Sequence, residues 1–287
     1  MSTIRRGQIQ LRSRFRWRIK RWETILRAGY GPVSNLPIVF GNAIPKSGSK
    51  LLFNILRSLE GVGPFIDTDL NEIKPFFQGE PTDPRWIKAQ LEALRPGDIR
   101  FGYLYAQDDY LRRLTGPGWA SFLILRDPRD QIISEIFYAM DIHLDHGMHA
   151  YLQSLPDMSA RIDAMIHGVD KGASSRVGVR EHYERFSGWW RSPDICVVRF
   201  EDLVDRRESE LVHILAHLED CGYKPKEPRE TILAVFKNAM RPERSETFRK
   251  GKTGTWREHF TPQNIEAFKT QANGLLIELG YERDARW

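Results

Sequence analysis

Cysteine is nearly absent: Cys196 and Cys221 are the only two in 287 residues. Two thiols make neither a disulfide framework nor a cysteine-built zinc site. A reducing, cytoplasmic setting is therefore the expectation. No run of about 18 apolar residues occurs, so no transmembrane helix is expected. No apolar segment of the secretory kind follows the first basic residues, so no signal peptide is read there. Internal repeats and low-complexity linkers are missing too, which sets aside solenoids and strings of small modules. What is left is an ordinary globular composition, 41% hydrophobic and 28% charged. A chain of this length buries a sizeable core.

The net charge of +5 is unevenly spread. Residues 1–27 hold nine basic residues (Arg5, Arg6, Arg12, Arg14, Arg16, Arg18, Lys20, Arg21 and Arg27) against Glu23 alone. That segment is +8, so the remaining 260 residues are net acidic at −3. The pI of about 9.2 thus describes the first residues rather than the body, and no nucleic-acid partner is expected. Phe15, Ile19, Trp22 and Leu26 follow helical spacing among the basic residues. Two readings are open: an amphipathic helix on an anionic membrane surface, or a terminal helix packed on the domain. Residues 1–30 are read as an appendage, and 31–287 as one domain.

Along the body, short apolar runs alternate with helical patterns. Ile38–Phe40, Ile99–Tyr103, Ala120–Leu125 and Ile195–Phe200 read as strands. Helices are predicted near 84–94, 108–114, 128–140, 146–167, 175–190, 206–220, 227–240 and 262–280. Residues 62–97 otherwise read as irregular. Apolar strands alternating with helices mean a parallel sheet covered on both faces.

Such sheets bind ligands beyond the carboxyl ends of their strands, and three loops there are basic. Pro45-Lys46-Ser47-Gly48-Ser49-Lys50 joins a strand to a helix. Its glycine, hydroxyls and following helix N-terminus suit a phosphate. It is not a Walker A loop, because its glycine and lysine spacing differs. Arg126 leaves the strongest strand, with Ser134 eight residues on, a pairing that could hold a second anion. Arg249-Lys250-Gly251-Lys252-Thr253-Gly254 sets three cations and two glycines in six positions.

These residues resemble a known family. Pro45–Ser49 is similar to the 5′-phosphosulfate loop of sulfotransferases that use 3′-phosphoadenosine 5′-phosphosulfate (PAPS). Arg126-Asp127-Pro128-Arg129-Asp130 with Ser134 resembles their 3′-phosphate strand and helix. Phe200-Glu201-Asp202-Leu203 and Arg249-Lys250-Gly251 through Trp256 and Phe260 resemble two further segments, in family order. The resemblance is to the soluble-type domain, including its bacterial members. It implies an α/β, P-loop-NTPase-like three-layer sandwich with a central parallel sheet. It implies PAPS as donor, adenosine 3′,5′-bisphosphate as product, and no metal. Lys46, Ser47, Gly48, Ser49 and Lys50 would hold the 5′-phosphosulfate. Arg126, Ser134, Arg249, Lys250 and Gly251 would hold the 3′-phosphate. Phe200 stands for the family's tyrosine, Lys50 for its Thr or Asn, and Leu51 for its tryptophan. Phe248 could contribute to the adenine site.

The family's basic histidine lies in a Gly-His-Leu-like segment. Here the matching stretch is Gly102-Tyr103-Leu104. A phenol with an ordinary pKa of about 10 is a poor base at neutral pH. Three readings follow. Cations could activate Tyr103; another group could serve, with His149 preferred over His146, Asp67 and Asp69; or the acceptor could be one that ionises easily, such as a phenol. The acceptor is otherwise read as a hydroxyl or amine of a small molecule or carbohydrate. Phe65, Phe76, Phe77, Tyr138 and Tyr151 suit an apolar one. A nucleotide-binding protein of the same fold with weak or no turnover is the alternative. A magnesium-dependent nucleotide kinase is disfavoured by the missing Walker A spacing.

Overall fold

The computed structural model describes Glu23 and residues 35–68, 72–77, 80–170, 172–240 and 252–287. Apart from Glu23, the expected N-terminal helix lies outside the described residues. Strand β1 (Ile38–Ala43) leads through a tight turn into α1 (Ser49–Arg57). The short strand β2 (Ile66–Asp67) and a small hairpin of β3 (Phe76–Phe77) and β4 (Glu80–Pro81) follow. Asp83 caps α2 (Pro84–Glu92), accepting the Arg85 N–H, with proline at the first helical position. Then come β5 (Asp98–Gly102), α3 (Asp108–Leu114) and β6 (Trp119–Leu125). Asp127 caps α4 (Pro128–Phe137) in the same way, and α4 ends in a π-helical turn, Tyr138–Ile142.

Helices α5 (His149–Ser154) and α6 (Met158–His167) precede a hairpin of β7 (Gly168–Val169) and β8 (Arg176–Val177). Helices α7 (Val179–Glu184) and α8 (Ser187–Arg191) lead to β9 (Ile195–Arg199). The chain continues through α9 (Phe200–Asp205), α10 (Arg207–Asp220) and α11 (Arg229–Ala239). It ends with α12 (Pro262–Glu278), opened by a reciprocal Thr261–Asn264 capping box.

The main sheet is parallel, in the order β2-β5-β1-β6-β9. Phe40 and Leu123 pack on one face with α2, α3, α4, α6 and α12. Val39, Phe122 and Ile124 pack on the other with α1, α10 and α11. Alternate residues serve opposite faces, and both faces are covered. That is why the strands read as unbroken apolar runs. The three-layer α/β architecture is the expected one, P-loop-NTPase-like in kind. Several details differ from the sequence reading, among them the helix expected over 175–190, which is broken into β8, α7 and α8. The edge strand β2 is only two residues long and carries no periodicity. The helix expected over 146–167 is split, because Pro156 forces Leu155 into an extended conformation.

Two charges are buried where β6 turns into α4. The Arg129 guanidinium lies between the rings of Trp256 and Trp287, at 4.1 and 4.4 Å. It donates to Asp127 at 2.7 Å and to Glu282 at 2.7 Å. Asp130 is fully buried and accepts from the Gly254 N–H, the Thr255 hydroxyl and the Trp256 N–H, at 2.7, 3.0 and 2.8 Å. This carboxylate fastens the 252–256 turn to the sheet. Asp130→Ala should lower unfolding free energy by at least about 3 kcal/mol, since each hydrogen bond to a charged group is worth about 1.5–3 kcal/mol. Chemical denaturation of wild type and variant measures it. A loss under about 1 kcal/mol would contradict the fastening role.

Candidate functional site

The β1–α1 turn carries two residues in the left-handed region, Lys46 (φ 66°) and Gly48 (φ 89°). For Lys46 this is a sparsely populated conformation. The turn is closed by the Ser47 N–H donating to the Ile44 carbonyl at 3.1 Å. Gly48 has a second reason to be glycine. A Cβ there would lie 2.6 Å from a ring carbon of Phe200. The aromatic ring that opens α9 therefore packs directly on the turn.

The same ring supports Arg126. Its guanidinium stacks on Phe200 at 4.4 Å and donates to the Lys252 carbonyl at 3.1 Å. Asp130 lies 3.6 Å away. Among the described residues, the buried Arg126 Nε–H has no acceptor. A buried donor left open in this way suits an anion. Gly48, Phe200, Arg126 and Lys252 thus form one continuous stack, which brings together loops far apart in sequence. Ser134 sits two turns into α4, half-buried. Phe248, Arg249, Lys250 and Gly251 lie outside the described residues. Lys50 is exposed at the start of α1.

Lys46 reaches the other side of the turn. Its ammonium sits 3.6 Å above the Tyr138 ring. Burial lowers its pKa to about 8; Glu135 opposes the shift, while Lys50 and Arg126 add to it. The edges of His143 and His146 meet Tyr138, with centroids 5.5 and 6.0 Å away. Ser49 Oγ and the Tyr103 hydroxyl are hydrogen-bonded at 2.9 Å. The end of β5 therefore touches the turn.

These contacts bear on the question of a base. Burial pushes the Tyr103 phenol up, and Glu72 and Tyr138 add to that; Ser49 and Arg57 oppose it. That direction runs against the reading in which cations activate Tyr103, one of the three left open by the sequence. His146 Nδ1 accepts the Met148 N–H at 3.2 Å, which leaves the proton on Nε2. Burial also lowers its pKa, so His146 is neutral with its donor hydrogen on Nε2. His149 opens α5 with Nδ1 against the Ala139 carbonyl at 2.9 Å. That contact puts its proton on Nδ1 and leaves Nε2 as the basic atom. Asp67 is paired with Arg57 at 2.6 Å, and Asp69 lies outside the described residues. Of the aromatics, Phe65 is a core residue packed on Tyr223, whereas Tyr138 stands in the site.

Residues that the sequence reading passed over complete the site. Tyr183 donates to the Arg126 carbonyl at 2.9 Å, with Ser47 beside its hydroxyl. Gln131 Nε2 donates to the Pro45 carbonyl at 3.1 Å and to Glu135 at 2.9 Å. Glu135 is held by Arg176 through two bonds of 3.1 and 3.0 Å. Only a helical face marks Gln131 and Glu135 in the sequence, and nothing marks Arg176.

Comparison with known proteins adds two findings. A family model described as the sulfotransferase domain matches residues 122–276, which include Arg126, Ser134 and Phe200 but not the Lys46 turn. In fold, the chain is similar to mouse sulfotransferase SULT7A1 complexed with PAP (16% identity, TM-score 0.58, covering 86% of this chain and 87% of that one). It is also similar to retinol dehydratase complexed with androsterone and the inactive cofactor PAP (15% identity, TM-score 0.56, 85% and 83% covered). A third similar structure is retinol dehydratase with retinol and PAP (16% identity, TM-score 0.54, 85% and 83% covered). No curated protein matches the sequence.

Two outcomes follow from the turn. Gly48→Ala adds a methyl group where Phe200 stands and strains a left-handed residue, so nucleotide binding should fall at least about tenfold, or about 1.4 kcal/mol. Isothermal titration with adenosine 3′,5′-bisphosphate reads this, and unchanged affinity would remove the turn from the site. Lys46 is charged below its pKa of about 8 and neutral above it. If the ammonium is the working form, kcat/KM for the donor should be level below about pH 8 and fall above it. A profile flat to pH 10 would rule that out.

Proposed function

The chain belongs to the sulfotransferase domain family, and on that premise we propose that it transfers a sulfuryl group from PAPS to a hydroxyl of a small-molecule acceptor, releasing adenosine 3′,5′-bisphosphate. The observation that carries the reading is the convergence of the Lys46 turn, Arg126 and the start of the 252–256 turn on one stack, with the Arg126 Nε–H given no acceptor by the described residues. Ser47, Gly48, Ser49 and Lys50 are assigned to the 5′-phosphosulfate. Arg126 and Ser134 are assigned to the 3′-phosphate, with Arg249, Lys250 and Gly251. Phe200 and Phe248 are assigned to the nucleotide as packing rings. In line with that, the three similar structures were solved with PAP bound.

Sulfuryl transfer needs an acceptor oxygen in line with sulfur and stabilisation of the charge that grows on the leaving phosphate. Lys46 is assigned the second task, because an ammonium in a partly buried site acts strongly on nearby charge. Beside the Lys46 ammonium, backed by Glu135, the turn region also presents the protonated Tyr103 phenol and the His146 Nε2–H as donors. Such a lining favours an acceptor that arrives ionised, such as an acidic phenol, over an aliphatic alcohol. Where deprotonation is needed, His149 is assigned as the base through its Nε2. Ile142 and Leu144, exposed beside this cluster, suit an apolar acceptor body. The retinol dehydratase structures contain apolar alcohols, androsterone and retinol. The setting assigned is cytoplasmic, where Cys196 and Cys221 remain free thiols. Among the described residues no helix is long and apolar enough to cross a membrane.

Arg126→Ala should weaken binding of adenosine 3′,5′-bisphosphate by about 1.5–3 kcal/mol and leave adenosine 5′-phosphate nearly unaffected. Equal losses for both nucleotides would defeat the 3′-phosphate assignment. A panel of phenols of graded pKa, assayed with radiolabelled PAPS, addresses the acceptor. Rates at neutral pH should rise as acceptor pKa falls towards 7, and a preference for aliphatic alcohols would exclude the ionised-acceptor reading. The raised Tyr103 phenol also favours a second reading, a nucleotide-binding protein with little turnover. Tight binding of adenosine 3′,5′-bisphosphate with no acceptor-dependent sulfate transfer would establish it instead.

A further inference from the structure

The strained Lys46 turn is fastened from an element that lies outside the main sheet. Arg176, in the β7–β8 hairpin, donates from Nη1 to the Met165 and Val177 carbonyls at 2.9 and 2.8 Å. Its other face grips Glu135 through Nε and Nη2. Both side chains are largely buried, 8% and 13% exposed. Gln131 then bridges, donating one hydrogen to Glu135 and the other to the Pro45 carbonyl. Pro45 is the residue before Lys46. An unbroken hydrogen-bonded chain therefore runs from the hairpin to the turn.

The hairpin itself is tightly set. A Cβ at Gly168 would lie 2.6 Å from the Gly178 nitrogen, so Arg176 is presented from a stiff base. A buried ion pair of this kind adds little stability over an apolar pair of the same volume. Its position beside the turn gives it another role. We propose that Glu135 is a positioning residue for Lys46: held by Arg176 and linked through Gln131 to the Pro45 carbonyl, it fixes the strained turn and sets one negative charge behind the Lys46 ammonium. The inference rests on the reading of Lys46 as the cation that faces the transferred group.

The groups around Lys46 come from several elements. Lys50 on α1 and Arg126 at the end of β6 oppose its charge, and Glu135 on α4 supports it. The Tyr138 ring lies under it, and His146 stands near. Beyond Glu135 are Arg176 and the half-buried His182, whose pKa desolvation lowers to about 4, so that it is neutral. Within this set Glu135 is the negative charge that counters desolvation of the lysine.

The test reads Lys46 directly, without donor or acceptor. The full chain is pulse-labelled with acetic anhydride across a pH series, and the Lys46 peptide is quantified by mass spectrometry. Wild type should half-titrate near pH 8. Glu135→Gln keeps the shape but removes the charge, so the midpoint should fall by about one pH unit, the effect of one nearby charge. Glu135→Asp should restore it at least in part. Should Glu135→Gln fail to fold with Arg176 unpaired, Glu135→Gln/Arg176→Met leaves no buried charge alone. It still lacks the nearer charge and should also titrate below wild type. A midpoint unmoved in the folded variants, with only melting temperature lowered, would overturn the proposal. In the assay with PAPS, Glu135→Gln should lose kcat at pH 8 and recover at pH 6.5, with donor KM little changed. Wild type that labels as expected but binds no adenosine 3′,5′-bisphosphate would overturn the proposed function and leave the Glu135 inference standing.

Discussion

The β6–α4 corner sets the terms for the rest of the molecule. Burying the Asp130 carboxylate is unfavourable unless its oxygens are filled. They are filled by donors some 125 residues downstream, from Gly254, Thr255 and Trp256. The chain therefore has to return to the sheet at that point. Arg129 makes the same demand with another chemistry, since its guanidinium needs both carboxylate partners and two indole faces. Buried charge thus does here what a disulfide does in a secreted domain. It pins distant segments in one arrangement, in a chain with only free thiols.

Close packing then turns that arrangement into a site. Because Gly48 has no side chain, Phe200 can lie on the β1–α1 turn, and because Phe200 is an aromatic ring, Arg126 can lie on Phe200. Each layer needs the one below it. Among the described residues, the stack leaves the Arg126 Nε–H without an acceptor, a state that proteins rarely leave unused. On the opposite side of the turn, the Lys46 ammonium rests on Tyr138 with Glu135 behind it. Arg126 still acts on that ammonium, adding to the lowering of its pKa, and Glu135 opposes it.

Much of this was legible in the sequence because it depends on residue type and local spacing. The apolar runs of β1, β5, β6 and β9, the Asp127–Pro128 helix start and the Gly48 turn each carry their own signal. Strand β2 did not, since two residues show no period. The Gln131–Glu135–Arg176 relay was illegible for another reason. Gln131 and Glu135 look like the polar face of an ordinary helix, and Arg176 like one of many surface arginines. Their meaning comes from long-range contact, 41 residues between Glu135 and Arg176 and 86 between Gln131 and Pro45. Asp67 shows the converse: as a carboxylate near the end of a strand it invites a functional reading, but Arg57 holds it in an ion pair.

The histidines show why residue type alone does not assign a base. His146 and His149 are three positions apart, yet their backbone contacts fix opposite tautomers. The Met148 N–H occupies Nδ1 of His146 and leaves it a donor, while the Ala139 carbonyl takes the Nδ1 proton of His149 and leaves Nε2 basic. Tyr103, raised by burial, joins His146 and Lys46 on the donor side. A site lined in this way stabilises negative charge better than it removes protons. Chemistry that forms or receives an anion is what such a lining assists most, because each donor interacts more strongly as charge develops on the oxygen it faces. The burden of ionisation then falls on the acceptor, or on His149 where the acceptor is weakly acidic. On the proposed function, tyrosine in place of the family's histidine would shift the selective step from the enzyme's base to the acidity of what it binds.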